Sequence, residues 1–412
     1  MVRILTILLA LATLAAWAQT QPQKPKQWKD AAEYAQYDAA QKAADPHQKI
    51  TALDQWKAKY PETDYQRERL ALYLQAYQQL GDVHNVVGML NELLALNPKD
   101  QDVMKAILAL ILAPQYHDTG EPTLDNGARV AQAALAALGD PSANVPLATL
   151  AHTMLGWVAM NRKEHSVAAK EFLDSLHLDS GAGQVDLWLA NELRAQKTAD
   201  ALSQAMFFYA RAATYDGPGT LGPSSEKEIG EYLRKIYTGY HGADDAGFTA
   251  LLDLARVQAF PPDGFHIASS DEVAAAKEEA LKKADPQLAL WLSLKKVLTG
   301  EGGQQYFDGN MKGSLVPGGA EGVQTFRGTL LAAKPAAKPK ELVVAVADSS
   351  TPEATLKLDT PLTGAVEIGA AIEFAGVPQA FEIQPFMVTF DVERENVKGL
   401  KMTAPSRPRL GQ

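Results

Sequence analysis

The stretch TLAHTMLGWVAMNRKEHSVAAKEFLDSLHLDSGA, residues 149–182, carries the pattern that decides the fold of this chain. Apolar residues recur in it every three to four positions, which is typical of amphipathic helices. We expect Gly156 to allow a close approach of two helices, Ala168 to lie where they cross, and Phe172 to pack between them. The stretch therefore predicts a helix pair whose remaining apolar side must be covered by a neighbouring pair.

A second stretch, residues 67–100, repeats this arrangement. Gly81 interrupts the helical pattern, and Asn97-Pro98 ends it. Apolar side chains share one face in each predicted helix: Leu70, Leu74 and Tyr77 in the first, and Val83, Val86, Leu90, Leu93 and Leu94 in the second.

Both stretches resemble units of the tetratricopeptide repeat (TPR) family, which are about 34 residues long. Gly156, Ala168 and Ser175 stand at the family's small-residue positions, and Pro98 stands at its proline position. Weaker copies lie at 30–63 and at 184–217, the latter after a few extra residues. Predicted helices at 226–240 and 246–258 resemble a further pair, and a degenerate copy at 104–137 is interrupted by a predicted loop at 114–126. The resemblance implies a solenoid of antiparallel helix pairs that binds a protein or peptide on its concave face.

The composition changes near residue 325 from Ala, Leu, Gln, Lys and Glu to Val, Thr, Phe and Gly. We therefore expect an α+β multidomain protein: a helical repeat domain at 19–298, an irregular linker at 299–323, a small β-rich domain at 324–400 and a tail at 401–412. Five strands are predicted, at 324–332, 341–346, 354–358, 371–374 and 385–392. Five short strands resemble a small barrel of the OB-fold kind.

The first 18 residues have the layout of a secretory signal peptide. Arg3 precedes an apolar run from residue 4 to residue 16, and Ala16 and Ala18 are the small residues before a polar segment. The run is shorter than the roughly 20 residues that span a bilayer. We therefore expect export to the periplasm or the medium, with no integral membrane segment after cleavage.

Composition argues against several other functions. The net charge is −10 with both signs mixed along the chain, so no basic surface for nucleic acid is expected. The absence of cysteine excludes disulfides and iron–sulfur clusters. The eight histidines show no metal-ligand spacing, and known catalytic motifs are missing. We expect no cofactor, no metal and no enzymatic activity, and we expect Asp244 and Asp245 to begin a helix rather than form an acid–base pair.

The repeat register places a partner-binding surface on the first helix of each pair. Trp157 is its expected aromatic anchor, since aromatic residues dominate interface energetics. The full predicted set is Gln75, Gln78, Gln79, Thr153, Trp157, Met160, Asn161, Asn191 and Arg194. Two alternatives stay open: a carbohydrate- or envelope-polymer-binding protein that uses Phe374, Phe381 and Phe386 of the β-rich domain, and an enzyme whose polar site is assembled from distant segments.

Overall fold

The computed structural model describes residues 25–316 and 324–402. The chain divides into two compact units, Met1–Ile267 and Ala268–Gln412. The expected signal peptide lies outside the described residues, as does the predicted tail beyond residue 402. Among the helices of the described ranges, none has both the length and the apolar character needed to cross a membrane.

The described part of the first unit consists of paired helices. In chain order they are α1 Ala31–Lys42, α2 Pro46–Lys59, α3 Gln66–Leu80, α4 Val83–Leu96, α5 Gln101–Ile111, α6 Glu121–Leu138, α7 Val145–Asn161, α8 His165–Leu178, α9 Gly183–Ala195, α10 Ala199–Thr214, α11 Pro223–His241 and α12 Asp245–Val257. The starts of α1, α3 and α5 are 35 residues apart (31, 66 and 101), close to the predicted period.

Local signals explain where these helices begin and end. Asp82 caps α4 by accepting a hydrogen bond from the Asn85 amide, and Asp244 caps α12 in the same way from Gly247. The prediction that Asp244 begins a helix is therefore confirmed. Gly81 ends α3 with φ of 68°, a left-handed conformation that favours glycine.

One predicted loop is shorter than expected. Helix α6 begins at Glu121, inside the stretch 114–126 that the sequence pattern assigned to a loop. Gly120 precedes the helix and Pro122 occupies its first turn, where proline's missing amide hydrogen costs nothing. Apolar periodicity does not reveal this extension because Glu121, Pro122 and Asp125 are exposed, and Leu124 is the one large apolar residue buried in the first turn.

The close helix crossing predicted from the sequence is present between α7 and α8. A Cβ atom built on Gly156 would lie 2.5 Å from Cδ1 of Phe172. Phe172 and Ala168 are fully buried in the same apolar cluster, which continues through α9 to α12. This packing fixes the spacing of the two helices and the direction of the side chains that they present.

The second unit contains three helices and seven strands in its described residues. The helices are α13 Ser270–Ala284, α14 Pro286–Thr299 and α15 Gly303–Asn310, and the strands are β1 Phe326–Lys334, β2 Glu341–Ala345, β3 Ala354–Leu358, β4 Ala371–Phe374, β5 Val377–Ile383, β6 Phe386–Val392 and β7 Val397–Lys398.

The strands form one mixed sheet in the order β5-β6-β3-β2-β1-β4-β7. All pairs are antiparallel except β3–β6, which is parallel with Leu356 opposite Phe390. The five predicted strands are present, but β5 and β7 were not expected. In the described residues the pairing does not close β5 onto β7, so the expected five-stranded OB-like barrel is replaced by a seven-stranded sheet.

The boundary of the second unit also differs from the one that composition indicates. Trp291 and Leu298 of α14, and Phe307 of α15, are buried in one cluster with the apolar face of the sheet. Trp291 also donates a hydrogen bond from Nε1 to Oε2 of the buried Glu353, at 2.9 Å. The predicted boundary at 298 and linker at 299–323 therefore fall inside a unit that begins at Ala268.

Candidate partner-binding surface

Two of the predicted partner-binding residues, Asn191 and Arg194, lie one turn apart on the exposed side of α9. The Tyr209 hydroxyl of α10 donates to Oδ1 of Asn191 at 2.6 Å. The Arg194 guanidinium lies over the ring of Tyr232 from α11, 5.5 Å from the ring centroid. The rings of Tyr209 and Tyr232 meet edge to face at 5.4 Å. We call these four residues the Arg194 patch.

Burial keeps the Tyr209 hydroxyl of the Arg194 patch protonated. Burial raises the pKa of Tyr209, and the neighbouring Tyr232 acts in the same direction, so the hydroxyl stays protonated and remains a donor to Asn191. Arg194 is exposed, and Tyr232 is 37% exposed. The patch therefore offers solvent an oriented cation and a partly exposed aromatic ring.

The sequence did not indicate the two tyrosines of this patch. Tyr209 and Tyr232 are 18 and 38 residues from Asn191 and Arg194, respectively, and come from different helices. The sequence pattern could have indicated Tyr232, because it is an aromatic residue among the charged residues on the outer face of α11.

The predicted residues on α7 have different degrees of access. Thr153 is buried at 8% exposure and shares a 2.7 Å hydrogen bond with the Ser175 hydroxyl of α8, so it does not face a partner. The structure therefore places its hydroxyl inside the helix pair, unlike the exposed positions that the sequence pattern indicates for partner contacts. Trp157 and Met160 are half-buried against apolar clusters, and Asn161 donates to the Trp157 carbonyl at 2.8 Å.

The predicted glutamines lie on α3. Gln75 and Gln79 are exposed and Gln78 is half-buried. Gln75 accepts a hydrogen bond from the Lys49 ammonium of α2 at 3.0 Å. These three side chains lie on α3, whereas the Arg194 patch is formed by α9, α10 and α11.

Two of the three aromatic residues expected to bind a carbohydrate, Phe374 and Phe386, are buried in the second unit. Phe374 is fully buried and Phe386 is 9% exposed. Phe381 packs against Phe307, with ring centroids 4.9 Å apart. Phe374 and Phe386 therefore support the core of the sheet, and Phe381 is half-buried against it.

A buried ion pair lies deeper in the first unit. Asp186 and Arg211 face each other with Nε 3.5 Å from Oδ2, and Asp186 is 0% exposed. Burial raises the pKa of Asp186 to about 7, although the charge of Arg211 acts to lower it. Arg211 also donates to the carbonyls of Ser180 and Gln258, at 2.8 and 2.7 Å. A shifted pKa often marks a catalytic group, but this carboxyl is closed to solvent and joins helices instead.

One group of side chains has the composition of a metal site. His152 of α7 and Glu171 and Asp174 of α8 each offer a ligand atom, and these atoms all lie within 4.8 Å of one another. The sequence missed this group because its second and third members follow His152 by 19 and 22 residues. These spacings are close to the step between the starts of α7 and α8 (145 and 165), so the repeat register could have indicated that the three side chains face each other.

Neither a family model nor a curated protein matches this chain. Among solved structures, it is similar to one described as MamA RS-1 ArsTM double mutant, with 14% identity and a TM-score of 0.31, over 44% of this chain and 94% of that one. It is also similar to TTC0263, a thermophilic TPR protein in Thermus thermophilus, with 16% identity and a TM-score of 0.28, over 50% of this chain and 95% of that one. With its paired helices and its close Gly156–Phe172 crossing, the first unit is a TPR-like helical repeat region.

Proposed function

We propose that this chain is a non-catalytic scaffold that holds a protein or peptide partner on the first helices of its helix pairs. The observation that carries the proposal is the Arg194 patch. Contacts with Tyr232 and Tyr209 hold the exposed guanidinium and the Asn191 amide in place without a partner. Arginine and tyrosine are enriched among residues that dominate binding energy, and a pre-ordered site loses less entropy on binding.

The chemistry of the Arg194 patch favours a particular kind of segment. A guanidinium presents planar donors that match a carboxylate, and the exposed ring of Tyr232 suits an apolar side chain. We therefore infer a partner segment that places an acidic residue beside an apolar one. Trp157 and Met160, both half-buried on α7, are further contacts on a first helix of the array.

The proposal is tested with a matched pair of arginine substitutions. Arg194→Ala removes the cation from a first helix, whereas Arg256→Ala removes an exposed arginine from α12, a second helix. The purified chain and both variants are immobilised and exposed to extract of the source cells, and captured proteins are quantified by mass spectrometry. We expect a partner that the unchanged chain and Arg256→Ala retain and that Arg194→Ala loses at least about tenfold, since hot-spot truncation costs about 2 kcal/mol or more.

A partner that binds all three chains equally would contradict this location. Trp157→Ala is then measured to separate a binding surface elsewhere on the first helices from one on the second unit. Circular dichroism of each variant shows that the helices are intact, because Trp157 also packs against the core.

We further propose that the protein is exported. The proposal rests on Arg3, the apolar run that follows it, and the small residues Ala16 and Ala18. Expression of the chain followed by fractionation and N-terminal sequencing tests it. We expect a periplasmic or secreted protein that begins at Gln19, and an uncleaved cytosolic chain would refute export.

A further inference from the structure

A row of polar side chains lies between α7 and α8. Nδ1 of His152 is 2.8 Å from Oε2 of Glu171. Asp174 follows Glu171 at i+3, so both carboxylates project from the same face of α8. The His152 and Glu171 side chains are 16% and 17% exposed, and that of Asp174 is 35% exposed. The three groups are therefore partly withdrawn from water but open to a small ion.

We propose that His152, Glu171 and Asp174 form a binding site for a divalent transition-metal ion, with Zn²⁺ as the best match. One imidazole nitrogen and two carboxylate oxygens are ligands that zinc takes in proteins, and three protein ligands leave a fourth position open. A tetrahedral zinc site separates neighbouring ligand atoms by about 3.4 Å. Here the His152–Glu171 pair is at 2.8 Å and all three atoms lie within 4.8 Å, so small side-chain rotations suffice.

The polar pair departs from the repeat in which it occurs. In the register of the two clearest stretches, 67–100 and 149–182, His152 corresponds to Leu70 and Glu171 to Met89. Leu70 is buried at 2% exposure, and Met89 is half-buried against an apolar cluster. The hydrogen bond between His152 and Glu171 offsets the cost of withdrawing these polar groups from water, and it keeps both ligand atoms together at this position of the repeat.

Neighbouring groups extend the polar row and leave the site open. Thr153 and Ser175 share a hydrogen bond beside it, and Oγ1 of Thr149 is buried with no hydrogen-bond partner within the described ranges. Lys170 contacts Oδ2 of Asp174 at 2.7 Å. Its side chain is 70% exposed, and such surface ion pairs contribute little, so a divalent ion can displace it.

A bound ion would join the two helices of one repeat and favour the folded state by mass action. Because only three side chains would hold the ion, a further coordination position would be left for water or for a donor group of a partner. The site thus has a structural consequence for the repeat, independent of the partner proposed for the Arg194 patch.

The test uses the purified chain after removal of metal with chelator and titration with ZnCl₂ in a calorimeter. Asp174→Asn removes the third ligand but leaves the His152–Glu171 hydrogen bond. His165→Gln is the matched control, because His165 and Glu192 form a similar pair at 2.7 Å that is not part of this group of three. We expect one saturable zinc site in the unchanged chain and in His165→Gln, and binding at least about tenfold weaker in Asp174→Asn.

Substitution with Co²⁺ gives a second readout, since visible absorption of a tetrahedral ion should be present in the unchanged chain and lost in Asp174→Asn. The absence of a saturable zinc site in the unchanged chain would overturn the proposal. Zinc binding by Asp174→Asn with unchanged affinity would overturn it as well, because the ion would then be bound elsewhere. Circular dichroism of Asp174→Asn verifies that the loss is not due to unfolding.

Discussion

Replacement of Gly156 by alanine tests the close crossing of α7 and α8 with a single methyl group. The added Cβ would lie 2.5 and 2.6 Å from Cδ1 and Cε1 of Phe172. Ordinary contacts between carbon atoms are about 3.5 to 4.0 Å, so the ring or the helix must move by about 1 Å. Phe172 is 0% exposed and packs against Trp188 at a ring separation of 5.6 Å, which leaves the ring little room.

Two effects of opposite sign determine how Gly156→Ala changes the free energy of unfolding. Alanine stabilises a helix interior relative to glycine by up to about 1 kcal/mol. Overpacking of a filled core costs about 1–3 kcal/mol, and the short distance places Gly156→Ala in the upper part of that range. The net expectation is a loss of about 1–2 kcal/mol in the free energy of unfolding.

Gly88→Ala is the matched control, because Gly88 lies within α4 and nothing is within 4 Å of its added Cβ. This substitution keeps the helix-propensity gain without the clash and should stabilise the chain by about 0.5–1 kcal/mol. Urea unfolding followed by circular dichroism measures both variants, with equal m-values as a check that the transition is comparable. Equal stabilisation by Gly156→Ala and Gly88→Ala would refute the close helix crossing.

Two further predictions concern buried carboxyl groups. Glu353→Ala leaves the Trp291 indole and the Lys295 ammonium without their shared acceptor. Urea unfolding should show a loss of about 3 kcal/mol in the free energy of unfolding. A loss below about 1 kcal/mol would contradict a stabilising role for Glu353. Because burial raises the pKa of Asp186 to about 7, the folded state binds its proton more tightly than the unfolded chain. The free energy of unfolding should therefore fall as pH rises from about 4 to 7, and less so in Asp186→Asn; an unchanged slope would mean that Arg211 keeps the carboxylate charged.

The helix pairs could be predicted from the sequence because their signals are local. A glycine such as Gly81 ends a helix by its own backbone freedom, and an aspartate such as Asp82 caps the next one within three residues. The close crossing at Gly156 could also be predicted, because the repeat register places Gly156 at a small-residue position and Phe172 on the second helix of the same unit. Each of these features depends on residues within one repeat.

The candidate sites depend on contacts that cross helices and were predicted only in part. Asn191 and Arg194 followed from the face of one helix, but their partners Tyr209 and Tyr232 come from α10 and α11. Thr153 was placed on the same kind of face and is instead buried. A helical face of about 100° includes positions at its border, and only the neighbouring helix decides which of them it covers.

The second unit begins at Ala268, earlier than the change in composition near residue 325. Strand-like composition begins near residue 325, but a sheet needs another element to cover its apolar face. Here the helical residues Trp291, Leu298 and Phe307 cover that face. Alternation also could not indicate the parallel β3–β6 pair, since the connection between these strands contains β4 and β5. A fragment that begins at residue 320 would therefore expose the apolar face of its sheet and leave Glu353 without Trp291. Any assignment of binding to the second unit requires a fragment that begins at Ala268 or the whole chain.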